Sequence, residues 1–184
     1  MIVKNVHSLS IYSAIEFANK AHRGQDRKLD GDPFIVHPLA VAGLLADYYS
    51  DKSLIIAAIL HDVAEDTPVT FDQLRKKFGE EITQIVMDVS QTDKKLPWKE
   101  RKDRYFKHLT TKASINAIRV SAADKYHNLQ DIVSWWQQLG DEIFTHFNAS
   151  KEEILANYRR LIEFFEKKKI PWVNQLWDLL RAIT

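Results

Sequence analysis

An uninterrupted apolar run, Leu54-Ile55-Ile56-Ala57-Ala58-Ile59-Leu60, leads directly into His61-Asp62-Val63-Ala64-Glu65-Asp66. A segment apolar on every side belongs in a core, so the residues that follow are carried to the core's edge. They are one imidazole and three carboxylates within six residues. If the run is helical, His61 lies one turn before Glu65, and Asp62 one turn before Asp66. Three acids then crowd the last turn of a helix, where the macrodipole is already negative. A bound cation would offset both costs, and hard divalent metals accept imidazole and carboxylate ligands together. The pattern points to a metal-dependent hydrolase.

Helical periodicity continues on both sides of this segment. Ile11, Ala14, Ile15, Phe17, Ala18 and Ala21 form a stripe, followed by a polar loop from His22 to Pro33. A second helix is expected from His37-Pro38, with Pro38 suited to the first helical position, through Val41, Leu44 and Leu45 to about Tyr49. The third is expected from about Lys52 to Asp66, stopping at Thr67-Pro68 because a residue before proline avoids the helical region. Thr70-Phe71-Asp72-Gln73 reads as a capping box for a short helix ending near Phe78-Gly79. Ile82, Ile85, Val86 and Val89 continue on one face, and Ser90 to Pro97 reads as a loop. Glu100 to Leu109 is a charged helix; Ile115, Ile118, Ala122, Leu129 and Ile132 mark a long one. Ser150-Lys151-Glu152-Glu153 caps a helix through Phe165, and an aromatic segment, Trp172 to Leu180, follows.

Strand-like alternation is weak throughout, and five Gly and five Pro leave little material for many turns. The expected fold is therefore all-α. A length of 184 residues fits one domain, a helical bundle with its core at about 10–165 and a C-terminal helical extension at 166–184. The net charge of +1 argues against a broad nucleic-acid surface but leaves room for a local basic pocket. The absence of cysteine removes disulfides, zinc knuckles and thiol nucleophiles. No apolar stretch approaches the ~20 residues that span a bilayer, and residues 1–7 form no signal-peptide core. A cytoplasmic location, away from membranes, is the expectation.

Three segments could converge on one ion: the third helix with His61 and Asp62, the start of the second with His37, and the long helix with Asp124. Taken singly, His37 could cap a helix, and Asp124 could be a surface acid or a salt-bridge partner. Taken together they say more. Asp124 interrupts an apolar face beside the small Ala122 and Ala123, and His61 directly follows a buried run. An unpaired charge in such places is costly. Two imidazoles and two carboxylates leave positions for water on an octahedral or five-coordinate ion such as Mn²⁺, with Fe²⁺ or Zn²⁺ also open.

Four segments carry a resemblance. Ala21-His22-Arg23-Gly24-Gln25-Asp26-Arg27-Lys28, Gly31-Asp32-Pro33-Phe34-Ile35-Val36-His37-Pro38, His61-Asp62-Val63-Ala64-Glu65-Asp66-Thr67 and Ala123-Asp124-Lys125-Tyr126-His127-Asn128-Leu129 occur in the order of the RelA/SpoT-type hydrolase domain. That domain belongs to the HD superfamily of metal-dependent phosphohydrolases, and the resemblance spans roughly residues 10–165. Because the chain ends where longer relatives continue into a synthetase domain, it is similar to the stand-alone small alarmone hydrolases. Residues 92–102 are also similar to that type.

The resemblance implies an all-α bundle and the removal of the 3′-pyrophosphate from ppGpp and pppGpp. It implies one Mn²⁺ on His37, His61, Asp62 and Asp124, with Glu65 and Asp66 as the catalytic pair. It places base recognition on Arg27 and Lys28, and substrate contacts on Asn128 and, through a looser alignment, Tyr158. Leu29-Asp30 replaces a small residue that lies against the base, and the stretch from Arg27 to His37 is one residue longer than in many long relatives. This leaves base preference open. Adenosine alarmones such as ppApp, or the 2′-phosphate of NADPH, are the alternative substrates. Self-association and functional pairing with an alarmone synthetase are both compatible with the resemblance, as is a regulatory domain that binds nucleotide without turnover.

With four ligands on the metal, Glu65 and Asp66 fall to orienting and deprotonating the attacking water. Lys94, Lys95 or Arg101 could neutralise the leaving pyrophosphate or be solvated surface charge. Arg27 can stack on a purine and Lys28 pair with phosphate, unless their mixed-charge loop is only surface. Asn128 offers a donor and an acceptor for ribose or phosphate. His22 and His127 are read as hydrogen-bonding supports of the site. Trp135-Trp136 and Phe164-Phe165 are read as core or partner-helix contacts.

Overall fold

The computed structural model describes residues 10–27, 31–91 and 93–183. Lys28, expected at the base, and Leu29-Asp30 lie outside the described residues. Helix α1 is Ile11–Ala21, α2 Val36–Ala46, α3 Lys52–Leu60, α4 Val63–Asp66, α5 Phe71–Phe78 and α6 Glu80–Val89. Then come α7 Trp98–Thr111, α8 Ile115–Leu139, a 3-10 helix Gly140–His146, α9 Lys151–Lys167 and α10 Val173–Ala182. Among the described residues there is no strand beyond one isolated bridge between Asp26 and Pro33, so the all-α expectation holds.

Helix α3 is the axis. The Asp51 carboxylate accepts from the amides of Ser53 and Leu54, which opens the helix, and every residue from Leu54 to Leu60 is buried. Helices α1, α2, α6 and α8 pack around it. Local signals set many of the surrounding boundaries. Thr70 and Ser150 both form complete capping boxes, with Gln73 and Glu153. Gly79, at φ 86°, ends α5 and opens α6 in a left-handed conformation that disfavours side chains. Phe165 and Trp172 belong to the core, Trp172 against the rings of Tyr48 and Tyr49.

Several boundaries differ from expectation. Helix α2 begins two residues before Pro38 and ends at Ala46 rather than near Tyr49. The helix expected from Lys52 to Asp66 is two helices, broken at His61-Asp62. At the break the His61 ring lies 2.7 Å from the Ala58 carbonyl, and Asp62 becomes the residue before α4. Glu65 and Asp66 are therefore the last two residues of a separate single turn rather than the end of a long helix. The kink also turns the two acid pairs to different sides: His61-Asp62 toward α2 and α8, Glu65-Asp66 toward the loop after α6.

Helix α8 crosses α2, α3 and α6 with Ala122 and Ala123 fully buried just before Asp124. A larger side chain has no room there. Replacing Ala123 with Leu should cost about 1–3 kcal/mol of stability in urea unfolding and should weaken divalent-ion binding by displacing Asp124.

Candidate active site

His37, His61, Asp62 and Asp124 reach one locus from α2, the α3–α4 break and α8. His61 donates Nδ1–H to the Ala58 carbonyl, which turns its Nε2 toward the other three. His61 Nε2 is 3.3 Å from His37 Nε2 and 3.2 Å from Asp62 Oδ2. His37 Nε2 is 3.5 Å from Asp62 Oδ2 and 3.3 Å from Asp124 Oδ1; His61 Nε2 is 3.9 Å from Asp124 Oδ1. The ligand atoms of His37, His61 and Asp62 all lie within 4.8 Å of one another. Bonds of about 2.1 Å put two ligands of one ion roughly 3 Å apart, so this donor set fits a divalent cation. The other carboxylate oxygen of Asp124 is held by Lys125, and Asn128 donates to Oδ1.

Electrostatics at the locus show two opposed effects. Burial acts against the His61 charge, but the carboxylates of Asp62 and Asp124 together outweigh it and hold its pKa well above the usual value. Burial likewise opposes ionised Asp124, and Lys125 with the two histidines overrides it, holding that carboxyl well below its ordinary range. Asp62 is lowered because His61 outweighs its burial. For His37, burial wins over its hydrogen bond with Asp124, and its pKa falls. Two partly buried aspartates thus stay anionic beside imidazoles, as a site for a multivalent cation requires.

The locus forms one end of a cavity of about 680 Å³. Its walls bring together Arg27, Glu65, Asp66, Asn128 and Tyr158, each assigned a role in the sequence reading. Glu65 accepts from the Gln91 amide at 2.6 Å, and burial pushes its pKa up to about 7, partly offset by that bond. Asp66 is more open and pairs with Lys94 at 2.5 Å. Lys94 therefore neutralises a cavity acid rather than lining the cavity. Arg101 lines a separate, smaller hollow, and Lys95 is exposed. His22 stacks on Phe34 and meets Gln25 at 2.8 Å; Gln25 in turn donates to the Asp66 carbonyl, tying the Arg27 loop to α4.

Besides Arg27, Lys102 and Lys125 are cations lining the cavity, and the sequence reading missed both. Burial, reinforced by the charge of Lys125, pushes Lys102 down to about 8. Burial also opposes the Lys125 charge, but Asp124 more than restores it and raises its pKa. Lys102 had a legible signal: Trp98, Lys102, Tyr105 and Leu109 stand 4, 3 and 4 residues apart, so this lysine interrupts the inward stripe of α7. Asp131 was missed as well. It lines the cavity, holds the Arg27 guanidinium and sits 3.4 Å from His127 Nδ1.

The Glu65 shift has a consequence for metal-free protein. Between its unfolded pKa near 4.5 and its folded value of about 7, only the unfolded chain gives up the proton. Stability contributed by the protonated form is thus complete below pH 4.5 and lost as pH rises through 7. Glu65→Gln keeps the acceptor and removes the charge. In thermal melts it should raise the metal-free Tm at pH 8 by a few degrees, on the order of 1–2 kcal/mol, and change little at pH 4.5.

Comparison with known proteins agrees with this geometry. Residues 14–155 match the HD domain family. A guanosine-3′,5′-bis(diphosphate) 3′-pyrophosphohydrolase of Haemophilus influenzae is 38% identical over 122 residues, covering 64% of this chain and 18% of the relative. The bifunctional (p)ppGpp synthase/hydrolase SpoT of Escherichia coli K12 is 36% identical, and 17% of its length is covered. The chain thus spans less than a fifth of these long relatives. The hydrolase MESH1 of Xenopus tropicalis is 37% identical over 142 residues, covering 73% of this chain and 78% of the relative. Among solved structures, a metazoan ortholog of SpoT that hydrolyzes ppGpp superposes with a TM-score of 0.64 at 26% identity, covering 100% of this chain and 90% of that one. The Listeria monocytogenes protein lmo0812 shares the fold, with a TM-score of 0.73 at 23% identity, covering 84% and 99%. The chain belongs to the HD domain family, within its RelA/SpoT-type hydrolases.

Proposed function

We propose that this chain removes the 3′-pyrophosphate of ppGpp and pppGpp, giving GDP or GTP and intact pyrophosphate. One Mn²⁺ would be held by His37, His61, Asp62 and Asp124. The observation that carries the reading is the convergence of these four side chains in a cavity whose walls also bear two partly buried lysines. The ion would lower the pKa of water toward ~7 and polarise a phosphoryl oxygen.

The chain's own residues supply the rest. Glu65, with a pKa of about 7, takes the proton of the attacking water as the bond between the 3′-oxygen and its phosphorus breaks. Its hydrogen bond to the Gln91 amide fixes one oxygen and leaves the other for the water. Asp66 orients that water from the next position on α4. The 3′-oxygen leaves as a hydroxyl, taking up one proton for the one that Glu65 removed from the water, and the negative charge stays on pyrophosphate. Lys102 and Lys125 lie on the cavity wall where that charge needs cations. Asn128, one turn beyond Asp124 on α8, binds ribose or phosphate, and the Tyr158 hydroxyl and Arg27 hold the nucleoside. Burial raises the Tyr158 pKa, which keeps the phenol a neutral donor.

Chelation with EDTA should abolish hydrolysis of labelled ppGpp and added Mn²⁺ should restore it, with pyrophosphate as the labelled product. Release of orthophosphate, or faster turnover of ppApp or NADPH, would reject the substrate assignment. The double substitution of Glu65 and Asp66 by Ala should abolish turnover and leave Mn²⁺ bound, read by calorimetry. Replacing Lys102 with Met should lower kcat/KM about 10–100-fold, the equivalent of one charged hydrogen bond, without weakening Mn²⁺ binding.

A further inference from the structure

We propose that Asp131 and His127 are positioning residues that join Arg27, on the cavity wall, to the metal ligand His37, so that metal and nucleotide binding reinforce each other. The inference rests on the metal assignment made above. Asp124, His127, Asn128 and Asp131 occupy one stripe of α8 at i, i+3, i+4 and i+7. The Arg27 guanidinium donates from Nη2 to Asp131 Oδ2. The same carboxylate oxygen is 3.4 Å from His127 Nδ1, and that nitrogen is 3.1 Å from His37 Nδ1. On the opposite side of its ring, His37 Nε2 faces the Asp124 carboxylate at 3.3 Å. A single chain of polar contacts therefore runs from Arg27 to the locus of the ion.

The chain has a direction, because His127 Nδ1 has two neighbours and one hydrogen-bonding position. To bind a metal through Nε2, His37 must carry its proton on Nδ1. That proton needs an acceptor, so His127 must offer its Nδ1 lone pair and keep its own proton on Nε2. A bare carboxylate beside the same nitrogen favours the opposite tautomer, with the proton on Nδ1 pointing at Asp131. The positive charge of Arg27 on Asp131 removes that pull. Arg27 in place thus selects the tautomers in which His37 presents a lone pair to the ion. By linkage, a bound ion holds Arg27 against Asp131, on the wall where a base would lie. No proton is gained or lost; only its place on each ring is decided.

The test is calorimetric titration of Mn²⁺ into the nucleotide-free 184-residue protein and its variants. His127→Phe, which lacks an acceptor, should lower Mn²⁺ affinity about 10–100-fold, and His127→Gln, whose side-chain carbonyl can accept, should recover much of it. Arg27→Ala, which removes no ligand, should lower the affinity about 5-fold or more. Adding Asp131→Ala to Arg27→Ala should restore it, because the pull disappears with the carboxylate. A general loosening of the fold would not be repaired by a second deletion. Should His127→Phe fail to fold, the Arg27 and Asp131 variants carry the test alone. Wild-type Mn²⁺ affinity in Arg27→Ala overturns the link, and a loss that persists in the double variant overturns its route through Asp131. A wild-type protein that binds no divalent ion overturns the metal assignment along with the link. The expected affinity changes in a protein that hydrolyses no 3′-pyrophosphate support the link and remove the substrate reading instead.

Discussion

Two partly buried aspartates need a cation, and the arrangement of the site follows from that need. Asp62 and Asp124 are anionic in a place that penalises charge, held there by Lys125 and by the imidazoles of His37 and His61. A buried carboxylate left without partners costs several kcal/mol. Each element that reaches the locus answers this requirement: α2 contributes His37, the α3–α4 break contributes His61, and α8 contributes Lys125 beside the acid it compensates. A divalent ion would satisfy the same carboxylates more completely than an imidazolium does, because it accepts several ligands at once.

The break between α3 and α4 is the backbone's part of this solution. A continuous helix would stack three acids on its negative end and point them along one face. Stopping α3 at Leu60 lets the His61 ring bond the Ala58 carbonyl, which also accepts a long 3.5 Å bond from the His61 amide. One hydrogen bond thereby ends the helix, sets the tautomer of His61 and aims its free nitrogen at the other donors. The restart at Val63 carries Glu65 to the Gln91 amide, on the other flank of the cavity. The Asp62 and Glu65 carboxylates are separated by a change of backbone direction rather than by distance in sequence.

The long helix α8 serves both ends of the cavity. Its buried alanines let it lie close to its neighbours, and its polar stripe presents Asp124 and Asn128 to one region and Asp131 to another. A rigid helix makes the spacing between metal locus and Arg27 a fixed quantity. Lys102 and Lys125 converge from two helices on the same wall, and their mutual repulsion is part of what depresses Lys102. That repulsion would be relieved by an anionic ligand between them, which is why a nucleotide polyphosphate suits the cavity.

The sequence by itself determined the helical class, the capping boxes at Thr70 and Ser150, and the burial of Leu54 to Leu60, because these depend on periodicity and on contacts within a few residues. It also marked His37, His61, Asp62 and Asp124 as candidates, since each places a costly polar group beside apolar neighbours. Tertiary structure alone decided what those candidates do to one another. The break at His61-Asp62 was invisible in a sequence that reads as one helix, because it depends on a side chain satisfying a carbonyl within a packed core. The selection of Lys102 over Lys94, Lys95 and Arg101 was only partly legible: the α7 stripe turns Lys102 inward, but packing decides that it faces the cavity. The Arg27–Asp131–His127–His37 chain joins residues up to 104 positions apart, and no local pattern registers a contact made only when α8 folds against the loop after α1.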